Sequence, residues 1–169
     1  MFKLRLFYRA ALTMVVSGAL LFTDTGRRAV AQLSSQQSWT NLEGASPLKV
    51  SYPAAIFNVS AGATERGIGR KFRSEDSRYD FSAYSLPNTD NDTPNSYLAK
   101  NLIVSPESLS YRRVTNRYFV MSSIRNERIF YSRCNFAIGI HCIFLEYPQA
   151  EKLAWDRIVT RISNTLRPR

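Results

Sequence analysis

Two thiols and one imidazole carry the most pointed chemistry in this 169-residue chain: Cys134, Cys142 and His141. The cysteines stand in a C-x7-C spacing inside two apolar, β-rich runs, residues 129–136 and 141–147, around a break at 137–140 that contains Gly139. A hairpin turn centred near Ile138 pairs residues whose numbers sum to 276, a condition Cys134 and Cys142 meet. Directly opposed antiparallel positions lie about 4.5–5.5 Å apart at Cα, and the shorter figure is within disulfide range. A redox site would use C-x-x-C. A zinc site wants three or four ligands, whereas His141 is the only histidine and adjoins Cys142, so the two point to opposite faces of a strand. The pair therefore reads as a structural disulfide.

Other chemistries lack their partners. A catalytic serine needs a base, and no serine sits in a G-x-S-x-G elbow. Ser46-Pro47-Leu48-Lys49 matches S-x-x-K in form only, without an S-D-N or K-T-G partner. Asn88, Asp90 and Asp92 resemble the start of a calcium loop, but Thr93 stands where the glycine belongs and Ala99 where the glutamate belongs. Gly67-Ile68-Gly69 lacks the third glycine and the following helix of a dinucleotide loop. Glycosidase-type carboxylate pairs meet only in space, and nothing in the sequence singles one out. No catalytic, cofactor-binding or metal-ligating residue is assigned.

Charge is the remaining lead. The chain carries 23 Lys and Arg against 13 Asp and Glu, a net +10. Arg70, Lys71 and Arg73 fall in one expected strand, and Arg112, Arg113 and Arg117 near another. Alternation splits Arg112 from Arg113, so an anion patch would draw on Arg70, Lys71, Arg73, Arg112 and Arg117 at most. The bland alternative is a solvated strand edge that discourages aggregation.

These residues must be held by a small number of elements. A short strand over 48–52 stops at Pro53, an apolar segment follows at 55–59, and 60–69 reads as a glycine-bearing loop. Strands over 70–73 and 79–84 flank a polar turn, with Tyr79, Phe81 and Ala83 inward. Thr93 is an N-cap candidate, with Pro94 at the first helical position. Its helix carries Tyr97, Leu98 and Leu102 on an apolar stripe that reaches Ile103. Strands over 109–115 and 118–124 then lead into the cysteine-bearing pair as an antiparallel meander.

The last helix, expected between Pro148 and Leu166, has the clearest period, with Leu153, Trp155, Ile158, Val159, Ile162 and Leu166 as its apolar positions. Glu151 would complement its N-terminal dipole, and Arg167 its C-terminal one. Both faces of the cysteine hairpin are largely apolar: Ile129, Tyr131, Ile143, Leu145 and Tyr147 on one, Phe130, Phe136 and Phe144 on the other. Both should therefore be covered. Arg133 falls on the first face and calls for a carboxylate or the sheet edge.

The N-terminus reads as an export signal: Lys3, Arg5 and Arg9, an uncharged run over 10–22, and Ala29-Val30-Ala31 before Gln32. That run of thirteen is short of the roughly 20 residues of a membrane span; the competing reading is an uncleaved anchor. No cysteine lies near the cleavage site, which excludes a lipoprotein. The division is then a signal at 1–31, a flexible leader at 32–47 anchored only by Trp39, and one domain at 48–169. The 138-residue mature chain keeps 18 cationic and 12 acidic side chains, net +6, with 14 of the cations Arg. In an exported protein that balance points to anionic envelope material rather than nucleic acid, against the plainer reading of a moderately basic surface that serves solubility.

The order of elements resembles the PsbP-like α/β/α sandwich, and in particular short exported alphaproteobacterial proteins of unassigned function. The resemblance covers residues 48–168. It rests on Val50-Ser51-Tyr52-Pro53, the hairpin over 69–84, the short helix, the Y-S-R-C-N-F segment and the A-W-D-R-I-V start of the last helix. It implies an α+β fold, a central antiparallel sheet packed by helices with a C-terminal amphipathic helix. It also implies an accessory, assembly or envelope role without catalysis, and it carries no functional residue to a numbered position. The expectation is a non-enzymatic periplasmic or secreted accessory or binding protein without a cofactor. Its partner would be an envelope protein or an anionic envelope component, with membrane contact only peripheral if the signal is cleaved. An anionic lipid or glycan binder and a carboxylate-based hydrolase are the alternatives.

Overall fold

The computed structural model describes residues 38–44, 47–101 and 105–169. The signal, half of the leader (32–37, 45 and Ser46), Leu102 and Ile103 lie outside the described residues. Eleven strands and two α-helices are present among those described. Short strands β1 (Trp39–Asn41), β2 (Leu48–Lys49) and β3 (Ser51–Pro53) open the fold. β4 (Val59–Ala63), β5 (Ile68–Arg73) and β6 (Asp80–Pro87) form a first meander. Helix α1 (Pro94–Asn101) leads to a second, β7 (Leu109–Val114), β8 (Tyr118–Arg125), β9 (Arg128–Phe136) and β10 (Gly139–Pro148). A 3-10 turn (Gln149–Glu151), helix α2 (Lys152–Thr165) and β11 (Arg167–Pro168) close the chain.

The last strand of each meander pairs with the other, giving a seven-stranded, fully antiparallel sheet in the order β4-β5-β6-β10-β9-β8-β7. β10, buried along most of its length, is the centre. This explains why both faces of the cysteine hairpin are apolar: each lies under a helix. On one face Phe81, Ala83, Ile129, Ile143, Leu145 and Tyr147 pack against Trp155, Ile158, Val159 and Ile162 of α2. On the other, Phe119, Cys134, Ile140 and Cys142 pack against Tyr97 and Leu98 of α1. The fold is thus α+β, mostly antiparallel sheet with two helices, one of them C-terminal.

The hairpin register is Ile140↔Phe136 and Cys142↔Cys134, and the two sulfurs are bonded across it. The turn is narrower than the four-residue break expected from sequence, because Gly139 already belongs to β10. At α1 the expected cap forms: the Ser96 amide donates to Thr93 Oγ1 at 3.1 Å, and the Thr93 amide to Ser96 Oγ at 3.0 Å. The Asn88–Asp92 segment is the turn before it, with the Asp92 amide donating to Asn88 Oδ1 and the Asp92 carboxylate held by Lys100.

Four expectations need correction. Residues 60–63 are not loop but most of the exposed edge strand β4, whose register shifts at a bulge beside Gly62 (φ +90°); a bulge glycine imitates a loop glycine in sequence. Gly69 belongs to β5, paired with Tyr84, rather than to a loop; that strand position is a glycine because a Cβ there would sit 2.2 Å from the Ala83 carbonyl oxygen. The leader is packed at its far end, since β1 pairs with β3 and Leu42 is buried in the main core. Leu153 is 75% exposed rather than part of the α2 stripe; two residues from Trp155, it points some 200° away around the helix.

Glu151 also departs from its expected role. It is buried and makes no side-chain cap bond to α2. Its carboxylate accepts hydrogen bonds from Tyr79 Oη (2.8 Å) and Trp155 Nε1 (3.4 Å), and it pairs with Arg78. The knot ties the β5–β6 turn to the start of α2.

Candidate functional site

The sheet is wider than the helix that covers it. α2 lies over β6, β10 and β9, so the outer strands β7 and β8 extend past its flank. A groove of about 450 Å³ opens in the angle between them. Its floor is apolar and aromatic: Ile124 of β8, Ile129 and Tyr131 of β9 and Tyr147 of β10. These residues share one face because Ile124↔Ile129, Ser122↔Tyr131, Leu145↔Tyr131 and Tyr147↔Ile129 are paired positions. Val159 and Thr160 form the helix wall, and Ser110, Tyr111 and Ser122 the outer rim. At one end the Lys152 ammonium is tied to Asp156 at 2.8 Å, an i,i+4 pair.

The polar groups of the groove are mostly hydroxyls. Tyr131 Oη and Ser163 Oγ are 2.8 Å apart, fixing the tyrosine against α2. Burial pushes the Tyr131 phenol above its usual pKa, while the Ser163 hydrogen bond and the Arg133 charge pull it back. Burial pushes Tyr147 up as well, so both are neutral hydroxyls at physiological pH.

Along the same strands, two residues beyond Tyr111 and Tyr131, the groove face continues into Arg113 and Arg133. The Arg133 guanidinium lies 4.6 Å from the Tyr118 ring centroid and that of Arg113 lies 5.8 Å from it. Arg133 donates from Nε to Asn135 Oδ1 (2.9 Å) and from Nη1 to Ser163 Oγ (3.2 Å). Neither arginine is ion-paired among the described residues. The expectation that Arg133 needs a carboxylate or a sheet edge is thus replaced by an aromatic stack and two neutral acceptors.

The five cations named from sequence do not form one surface. Lys71 and Arg73 point to the α1 face of β5, where Glu65 (3.4 Å) and Asp80 (2.8 Å) pair with them. Arg70 points to the opposite face, with its guanidinium 3.9 Å from where a Cβ of Gly44 would lie. Arg112 is on β7, five strands away from β5 or about 24 Å at ordinary strand spacing, and it donates to Asn95 Oδ1 of α1. Arg117 lies in the turn between β7 and β8. Alternation along β7 does separate Arg112 from Arg113; it is Arg113 that shares the groove face. The signal that could have found it was the alternation of Arg113 with Tyr111, read together with that of Arg133 with Tyr131.

The lone histidine is buried away from the groove. His141 Nδ1 and Ser85 Oγ are 2.8 Å apart, both residues under 5% exposed, and His141 Nε2 has no hydrogen-bond partner among the described residues. Burial holds the imidazole below its usual pKa. Among the described residues no three of His, Cys, Asp and Glu converge to hold a metal.

No family model matches the chain, and no curated protein matches it. Among solved structures it is similar to cyanobacterial PsbP (CyanoP) from Synechocystis, at 11% identity and a TM-score of 0.57, over 79% of this chain and 94% of that one. At that identity the likeness is one of fold: the chain has a PsbP-like fold.

Proposed function

We propose that this chain is an extracytoplasmic, non-enzymatic accessory or binding domain of the cell envelope, and that it engages its partner through the groove beside α2. The observation that carries this reading is the groove itself. It combines an apolar and tyrosine floor, a hydroxyl rim and an arginine-bearing extension, the composition of a recognition surface. The Cys134–Cys142 bond supports an oxidising compartment, in keeping with the export signal read at residues 1–31. A carboxylate-based hydrolase would need two carboxyl groups facing each other across a cleft. Among the described residues Asp156 is the one carboxylate lining this groove, and Lys152 neutralises it.

The test is affinity capture from a periplasmic extract with residues 32–169 as bait, beside a groove-filling variant, Thr160→Trp. The reading expects an envelope component enriched by the wild-type bait and lost with the variant. Equal enrichment by both baits would place the partner surface elsewhere.

A further inference from the structure

Resting on the groove reading, we propose that the Arg113–Tyr118–Arg133 stack is the oxyanion-binding end of a site for an acidic glycan, whose sugar rings lie along the tyrosine floor. Two guanidinium groups are held near one ring from opposite sides of β8, on strands two steps or about 10 Å apart. They repel each other, and no described carboxylate balances either one. Arg133 is positioned in advance by Tyr118, Asn135 and Ser163, with two of its five N–H donors engaged. A carboxylate, phosphate or sulfate between the two arginines removes the repulsion and takes up the free donors in charge-assisted hydrogen bonds.

The groove selects what carries that anion. Tyr111, 49% exposed, and Tyr131 offer aromatic faces to the C–H faces of sugar rings. Ser110, Ser122 and Thr160 offer small hydroxyls to a hydroxyl-rich ligand. The floor is recessed between α2 and the outer strands, where a flat bilayer does not reach. A free inorganic anion would use the arginines and leave the groove empty.

Calorimetric titration of the whole protein at low salt, with tetragalacturonate and a sulfated tetrasaccharide as probes, tests this. Neutral methyl-esterified tetragalacturonate, inorganic phosphate and phosphatidylglycerol vesicles form the other arms. At least one acidic tetrasaccharide should bind, and tenfold or more weaker with Arg113→Gln, Arg133→Gln and Tyr111→Ala; the neutral ester should not bind measurably. Both Arg113 and Tyr111 are exposed, so their variants report on binding rather than folding. Failure of both acidic probes, equal affinity for the ester, phosphate binding as tightly as the tetrasaccharides, or binding to vesicles alone overturns the inference. So does capture of an envelope partner through the groove that survives Arg113→Gln, an outcome that leaves the groove reading standing.

Discussion

The Arg133 guanidinium lies 4.6 Å from the centre of the Tyr118 ring, on a diagonal between neighbouring strands where Arg133 itself opposes Val120. Because the ring is half-buried and fixed by β8, it sets the direction of a charge that would otherwise sample many rotamers. Tyr118→Ala should cost about 0.5–1 kcal/mol in urea unfolding, the usual value of an exposed cation–π contact. Tyr118→Phe, which keeps the ring face, should cost less than half as much. Equal losses in the two variants would mean the ring does not hold Arg133.

The disulfide joins directly opposed positions of the central hairpin in the smaller core beneath α1. Closing so short a loop stabilises by roughly 2–3 kcal/mol in the chain-entropy model. A Cys134→Ala/Cys142→Ala double variant should unfold at a correspondingly lower denaturant midpoint. Thiol titration of the unreduced, denatured protein should find no reactive thiol; two per chain would show the bond absent.

Trp155 is fully buried, with ring centroids of Tyr79 at 4.7 Å, Tyr147 at 5.0 Å and Phe57 at 5.9 Å. Truncation to alanine leaves a cavity among α2, β10 and the β3–β4 and β5–β6 connections, and should cost about 3–5 kcal/mol. Glu151→Ala should cost less, about 1–3 kcal/mol, as buried donors on Tyr79 and Trp155 lose their acceptor. The order Trp155 above Glu151 in chemical denaturation checks both.

Stability should fall in mild acid because of His141. Its pKa is depressed in the folded protein by burial, so below the unfolded value of about 6.5 the unfolded chain binds the extra proton. Stability is full above that pH and declines as pH drops toward the depressed folded value. Denaturation midpoints at pH 7.5 and 5.5 should differ more for wild type than for His141→Asn. An identical difference would show that His141 does not contribute.

Much of this fold is legible in the amino-acid sequence. Alternation and the 276 sum placed the cysteine pairing, and the Trp155–Ile158–Val159–Ile162 spacing placed the helix that covers the main core. Less was legible where tertiary context overrides local pattern. Gly62 sits in a bulge of an edge strand, Leu42 is drawn into the core from a polar segment, and Glu151 leaves its helix dipole for a buried knot. The groove was the hardest part to see, because it depends on β7 and β8 projecting beyond α2. Strand order, not strand pattern, decides that, and it separates Arg70, Lys71 and Arg73 from Arg112. Arg113 and Arg133 were visible in the alternation, but their convergence on Tyr118 was not.

The most direct test of the groove as the functional surface is site-specific photocrosslinking in the intact envelope. A photoreactive residue is placed at Tyr111, on the groove rim, or at Val59, on the opposite sheet edge. Position 111 should give a discrete adduct and position 59 none. An adduct from position 59 alone would put the functional surface at the other sheet edge.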